Sequence, residues 1–453
     1  MKKFRLFLII SILSVTGFQN LFSQPYCIPG RFDTNYVFSP LQIDTIGATI
    51  YGRNKTFLGD SVNLKFIMAY PKFSADPLTK RPLVVLIHGG GFMSGDMYEM
   101  QPVMLDMAMR GYVCASIDYR TGWNIGPDPL HCTGNYYSMV QAIYRAMQDT
   151  KAAFRFFASR ANTYRIDTAY MFSAGISAGA VVSQLIPYMT QADINALYPK
   201  LVTELGRLDF SSNRLRNSFK IKCVLSASGG MFDTSYMKPA NTIPTLMFHG
   251  TMDSIVPYMT GFAYMCPNYV RTQGSGEITK RFRTLGKAFE LDYVPGGGHE
   301  NFYPLEYIQL RSIMFLKRYL CGNMRQVIIE NFTTILDSSI NTLTPIVNEN
   351  ENNAENFVLF QNYPNPFNPT TKIQFQIPNS SVIARSGATW QSQSVSLKVY
   401  DILGKEITTL LNKELTPGNY EITFDGSNLT SGIYFYKLQA GDFVQTKRMT
   451  LIK

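Results

Sequence analysis

A chain of 453 residues is long enough for two or three domains and a sizeable core. Hydrophobic residues at 45% and charged residues at 16% describe a soluble globular protein with a lightly charged surface. The net charge of +10 comes from scattered Lys and Arg without any nucleic-acid motif, so it is read as a solubility property, and no nucleic-acid partner is expected.

The chain starts with the basic stretch Met1-Lys2-Lys3-Phe4-Arg5, a short apolar run from Leu6 to Val15, and a polar stretch ending near Gln24. That layout predicts a secretory signal peptide over residues 1–24, because the apolar run is too short to span a membrane. No later stretch reaches transmembrane length. The mature protein is therefore expected to be exported, and either soluble or anchored by means other than a helix.

From about Pro25 to Gln326, strand-like apolar runs alternate with longer amphipathic stretches. The run starting at Leu83 is continuously apolar, as a buried parallel strand is, and ends in Gly89-Gly90-Gly91. Further strands are expected at Val113 to Tyr119, Ala169 to Gly175, Ile221 to Gly229, Thr245 to Gly250 and Ala288 to Val294. Helical spacing covers Tyr136 to Ala161 and Ile176 to Met189. Strand and helix in alternation predict a mostly parallel sheet covered by helices on both faces. Gly122 to Tyr137 and Gln191 to Leu215 are the candidate walls or cap of a site at the strand ends.

Six cysteines lie far apart, without the close spacing of a metal site. Cys114 and Cys223 fall in apolar runs and are read as buried small residues. Cys27, Cys132, Cys266 and Cys321 can form two disulfides in an oxidising compartment, with the pairing left open. Beyond Arg325 the composition turns polar and rich in Asn and Glu, which predicts a linker over residues 327–355. Residues 356–453 then alternate apolar and polar with turn residues between, as in a small antiparallel sandwich of immunoglobulin-like type. Ala384 to Ser394 lacks the alternation and reads as an inserted loop.

"GISAG" sets Ser177 between Gly175 and Gly179, after a strand and before a helix. On such an elbow a serine is held exposed on a sharp turn, where it can act as a nucleophile. A nucleophilic serine needs a base and an orienting acid. Only four histidines exist. His299 lies on a glycine-rich loop after the last strand and fits the order Ser, Asp, His. His249 competes with it at a strand end, His88 opens the glycine run, and His131 sits in a loop. Asp253, just past the strand that ends at Gly250, is the preferred acid over Glu300, whose neighbour His299 it cannot readily orient. The negative oxygen of a tetrahedral intermediate must meet backbone N–H groups, and Gly89, Gly90 and Ala178 are the candidate donors. No cofactor and no metal are expected.

"HGGGF", "GISAG", "HGTMDSIVP" and "GGGH", in this order and spacing over residues 45 to 320, resemble the α/β-hydrolase superfamily, nearest to its HGGG-type carboxylesterases and lipases. Ile176 and Ala180 stand where the hormone-sensitive-lipase-like group usually has Asp and Gly. The resemblance implies an α/β-hydrolase catalytic domain over residues 25–326, with Ser177 as nucleophile, His299 as base, Asp253 as acid, and Gly89, Gly90 and Ala178 as oxyanion hole. "LFQNYPNPFNPTTKIQFQIP", "LKVYDILGKEI" and "KRMTLIK" resemble the C-terminal sorting domain of type IX secretion substrates. That resemblance implies recognition by outer-membrane secretion machinery in a Bacteroidetes-like Gram-negative bacterium. Together they imply an exported serine esterase acting on a small-molecule, glycan or polymer ester. A related peptidase or polyester depolymerase, and a non-catalytic binding module, are the alternatives.

Overall fold

A strand with apolar side chains along both faces must be covered on both sides, and Arg81–Ile87 is buried at every position, with Arg81 at its start paired to Asp76. The structure, a computed structural model, describes residues 24–127, 132–299, 304–331, 357–360, 362, 365, 367–377, 393–402, 404–415, 418–441 and 443–453. Residues 1–23 of the expected signal segment, most of the expected linker, His131, Glu300 and residues 384–392 of the inserted loop lie outside them.

In chain order the strands of the first unit are β1 (Ile43–Lys55), β2 (Ser61–Pro71), β3 (Arg81–Ile87), β4 (Val113–Ile117), β5 (Ile166–Ile176) and β6 (Ile221–Ala227). There follow β7 (Gly230–Met231), β8 (Thr245–Gly250), β9 (Thr260–Phe262), β10 (Arg271–Gly274), β11 (Phe289–Val294) and β12 (Gln326–Glu330). Nine of them form one sheet in the order β1-β2-β4-β3-β5-β6-β8-β11-β12, and β7, β10 and β9 form a small second sheet. From β4 onward every pairing in the large sheet is parallel, while β2 runs antiparallel to both β1 and β4.

The helices are α1 (Gln101–Met109), α2 (Tyr136–Ser159), α3 (Ala161–Tyr164), α4 (Ala178–Leu185), α5 (Gln191–Leu197), α6 (Leu201–Leu205), α7 (Ser275–Thr284) and α8 (Leu305–Leu320). Met104 and Met107 of α1 and Ile313, Phe315 and Leu316 of α8 share one core with Val84, Leu86, Phe172 and Leu225 of the sheet. On the other face α2, α4 and α7 pack against the strands. This is the mostly parallel sheet covered by helices on both faces that the alternation of elements implied.

The structure differs from the sequence reading at the sheet edges. β1 and β2 were not anticipated: β1 has mixed burial throughout, and in β2 the continuous buried run is only Phe66 to Ala69. Gln326–Glu330 pairs in register with Phe289–Tyr293 of β11, so the segment read as a linker from residue 327 begins inside a strand. The Gln191 to Leu215 insertion is only partly a wall. Its second half docks on α2, where the Gln148 amide reaches the carbonyls of Leu205, Gly206 and Arg207.

Cys114 and Cys223 are buried, and burial pushes both thiols well up. The other four cysteines pair as Cys27–Cys321 and Cys132–Cys266. The second unit is all β. β13 (Val358–Leu359), β14 (Thr370–Ile377) and β17 (Gly418–Asp425) form one sheet. The second contains β15 (Gln393–Tyr400), β16 (Glu406–Leu415), β18 (Gly432–Ala440) and β19 (Phe443–Leu451). Phe367, Phe375, Phe424, Tyr434 and Tyr436 are spent on the core of this unit.

Candidate active site

Parallel strands deliver their carboxyl ends to one edge of a sheet, and loops leaving that edge meet there. β3, β5, β8 and β11 are such strands, and they are followed by Gly89, Ser177, Asp253 and His299 respectively.

Ser177 sits between β5 and α4 with φ 52° and ψ −118°, a conformation that costs a non-glycine residue about 1–3 kcal/mol. Surrounding contacts hold it there. The Ser177 N–H donates to the Ala227 carbonyl at 2.8 Å. A β-carbon on Gly175 would come within 2.3 Å of the Gly179 carbonyl carbon, and one on Gly179 within 2.1 Å of the Ile87 carbonyl oxygen. The glycines of G-x-S-x-G are therefore the only residues that let this turn close against β3. Ile176, beside the serine, stays 40% exposed.

The Ser177 hydroxyl lies 2.8 Å from His299 Nε2. His299 Nδ1 lies 2.7 Å from Asp253 Oδ2. A carboxylate only accepts, so Nδ1 carries the imidazole proton and Nε2 is left to take the hydroxyl proton of Ser177. The other carboxylate oxygen of Asp253 accepts the N–H groups of Ile255 and Val256, each at 2.8 Å. Burial alone would raise the Asp253 carboxyl, but hydrogen bonds from His249 and His299 outweigh it and hold the group far below the usual carboxylate range. The loops carrying Asp253 and His299 are stitched together. Met252 N–H donates to the Gly297 carbonyl, and Gly296 N–H to the Thr251 hydroxyl, each at 2.9 Å.

The turn after β3 abuts the serine. A β-carbon on Gly89 would lie 3.4 Å from Ser177 Cβ. Gly90 has φ +92°, and a β-carbon there would meet the Ser94 carbonyl oxygen at 2.3 Å, while its own carbonyl accepts from Met93 and Ser94 N–H. Ala178 opens α4, where first-turn amides have no partner within the helix. Trp123 Nε1 donates to the Gly91 carbonyl at 3.1 Å, and the Trp123 ring meets Tyr269 edge-on. The Cys132–Cys266 disulfide ties the two segments carrying these rings, so part of the Gly122 to Tyr137 wall lies beside the glycine turn.

The other described histidines, His88 and His249, do not reach the serine. His88 is fully buried, stacks on Tyr119 at 4.2 Å, and its Nδ1 donates to the Gly89 carbonyl; burial lowers its affinity for a second proton. His249 is also fully buried, on the far side of Asp253. Sequence reasoning missed Ser228, whose hydroxyl donates to the His299 carbonyl at 3.1 Å and anchors the histidine loop. Its only local signal is the small-residue run "SASGG" from the end of β6 into β7. Among the described residues no cluster of three or more His, Cys, Asp or Glu could hold a metal ion. No helix among them is long and apolar enough to cross a membrane.

Residues 72–126 and 131–240 match the BD-FAE family, and residues 361–453 match the secretion system C-terminal sorting domain. Among solved structures the chain is similar to Thermogutta terrifontis esterase 2 phosphorylated by paraoxon. Identity there is 17% over 63% of this chain and 96% of that one, with a TM-score of 0.42. It is also similar to the butyrate-bound esterase of the same Planctomycetes species, at 18% identity over 61% and 94% of the two chains, with a TM-score of 0.41. No curated protein matches the chain.

Proposed function

We propose that this chain, an α/β hydrolase of the esterase kind that ends in a secretion sorting domain, is an exported serine carboxylesterase with Ser177 as nucleophile, His299 as general base and Asp253 as the orienting acid. The observation that carries the reading is the unbroken series of hydrogen bonds, 2.8 Å and then 2.7 Å, running from the strained Ser177 to a buried carboxylate.

In this mechanism Ser177 Oγ attacks the ester carbonyl carbon while His299 Nε2 takes the hydroxyl proton. The Asp253 carboxylate stabilises the imidazolium through Nδ1–H. The oxygen that becomes negative is met by the N–H groups of Gly89 or Gly90 and of Ala178. Collapse of the intermediate breaks the bond to the alcohol, which leaves with the proton from His299, and an acyl group remains on Ser177. A water, deprotonated by the same imidazole, releases the carboxylic acid and restores the serine. The scissile ester belongs to a small molecule or to a glycan or other polymer.

For export, we assign residues 1–24 to a signal peptide and residues 356–453 to the segment read by type IX machinery at the outer membrane. The decisive experiment combines a fluorophosphonate probe with p-nitrophenyl ester hydrolysis. Labelling confined to Ser177, with both label and turnover lost in Ser177→Ala, is the expected result. A folded protein that neither reacts with the probe nor turns over any ester would refute the enzyme reading and favour a binding module.

A further inference from the structure

Asp253 receives two imidazoles, and the mechanism above uses one. His249, the penultimate residue of β8, is completely buried four residues before the acid. Its Nε2 lies 2.9 Å from the Val256 carbonyl oxygen and 3.2 Å from Asp253 Oδ2. A carbonyl oxygen only accepts, so Nε2 must carry a proton, directed at that carbonyl with the carboxylate oxygen beside it at 3.2 Å. On the other side of the ring, Nδ1 lies 2.8 Å from the Ser275 hydroxyl at the start of α7. With Nε2 protonated, a neutral ring accepts the Ser275 hydroxyl proton at Nδ1. The tautomer and the plane of the ring are thus fixed from both ends.

We infer that His249 is a positioning residue for the reaction: its Nε2–H holds Asp253 Oδ2 in line with His299 Nδ1. The inference rests on the proposed triad and adds a member to it. Without this donor, Oδ2 would be held by the histidine it is meant to orient and by nothing else, while Oδ1 would keep its two backbone N–H groups. The carboxylate could then rotate about the Oδ1 anchor. The titratable groups around His249 are Asp253, Tyr258, whose ring meets the imidazole edge-on at 5.6 Å, and Tyr293, its register partner on β11. None of them is a cation that could replace the lost donor. Ser275 is the neutral group facing it from α7.

Two conservative variants separate this role from packing. The Gln side chain can bring an amide N–H to the position of His Nε2, whereas Asn reaches only to Nδ1 and keeps at most the bond to Ser275. Removing one hydrogen bond to a charged group should lower kcat for p-nitrophenyl acetate about ten- to a hundredfold in His249→Asn, with KM little changed. With one donor fewer, Oδ2 pulls harder on His299 Nδ1–H and favours the imidazolium, so the acid limb of kcat should move to higher pH in His249→Asn. His249→Gln should recover most of the lost kcat and return the limb to its native place.

The inference is overturned if His249→Asn keeps native kcat, or if both variants lose activity equally with the acid limb unmoved. Thermal melts taken alongside report folding. If His249→Asn does not fold, His249→Gln alone decides the matter, because a folded Gln variant with a displaced limb would contradict donor replacement. Fluorophosphonate labelling of Ser177 in the native protein keeps the two ideas apart. A labelled serine with His249 variants of native kcat and pH profile defeats only this inference, whereas an unlabelled serine defeats the triad and this inference with it.

Discussion

His299 Nδ1 and Asp253 Oδ2 stand 2.7 Å apart although 46 residues separate them in the chain. The contact exists because β8 and β11 are parallel neighbours whose carboxyl ends fall at the same height in the sheet. Each loop then has only a few residues to travel. The imidazole arrives with Nδ1 toward the acid and Nε2 toward Ser177, the orientation that the proposed base role requires.

Replacing Ser177 by Ala should abolish ester hydrolysis without lowering the melting temperature, since the hydroxyl makes no packing contact that Ala would lose. His299→Ala should be similarly severe, roughly 10⁴-fold or more in kcat, and Asp253→Asn milder than either. Steady-state kinetics with parallel melts would test this. Full activity in His299→Ala would reassign the base.

Gly90→Ala tests the glycine turn. At φ +92° an added β-carbon would lie 2.3 Å from the Ser94 carbonyl oxygen, so the backbone must shift. If the turn supplies an oxyanion donor, kcat should fall about a hundredfold or more with KM nearly constant. A change confined to KM would show that the turn only borders the substrate.

Asp253 makes stability depend on pH in one direction. Its folded carboxyl sits below the ordinary range, so its contribution is fully present above the unfolded value of about 4 and is lost as pH falls through the folded value. The stability difference between the native protein and Asp253→Asn should therefore be constant from neutral pH down to about pH 5 and shrink below about pH 4. Denaturant titrations at several pH values measure it. A gap that widens on acidification would contradict the depressed carboxyl. Because Asp253 stays ionised across the working range, the acid limb of activity should report proton uptake by His299, and turnover should rise with pH through it.

The Cys27–Cys321 disulfide closes a loop of 294 residues and ties the start of the described chain to the end of α8. Cys27→Ser with Cys321→Ser should cost about 2–4 kcal/mol of stability while leaving kcat at 25 °C close to native, because neither sulfur approaches Ser177. Melting curves and kinetics under the same buffer decide it. Unchanged stability would mean that the terminal segment is held well enough by packing alone.

The point at which the tail is removed should matter. A chain ending at Asn331 keeps β12, including the Tyr293 hydroxyl's hydrogen bond to Glu330, and should retain full esterase activity. One ending at Arg325 exposes the edge of β11 and should be less stable. In the native host either truncation should stop export, since the matching sorting segment is residues 361–453. Cell fractionation would show normal surface delivery if that assignment were wrong.

The elbow, the glycine turn and the six buried central strands β3, β4, β5, β6, β8 and β11 were legible in the sequence because each is a local property, whereas their order in the sheet was not. G-x-S-x-G reports that Gly175 and Gly179 must pass bare backbone, and a continuous apolar run reports a strand buried on both faces. Tertiary structure alone decided relations between distant side chains. Four cysteines admit three pairings, and only the fold chose Cys27–Cys321 and Cys132–Cys266. His249 closes one strand-like run and His299 follows another, yet one ring turns its Nε2 to Ser177, 122 residues away, and the other turns its Nε2 to Asp253 Oδ2. Ser228 and β12 also went unread, the first because a lone hydroxyl carries no pattern, the second because five residues of mixed burial at a sheet edge have no period of their own. A sequence pattern records what the backbone must do locally. Which ring nitrogen faces which oxygen depends on the packing of strands that are neighbours only after the sheet has formed.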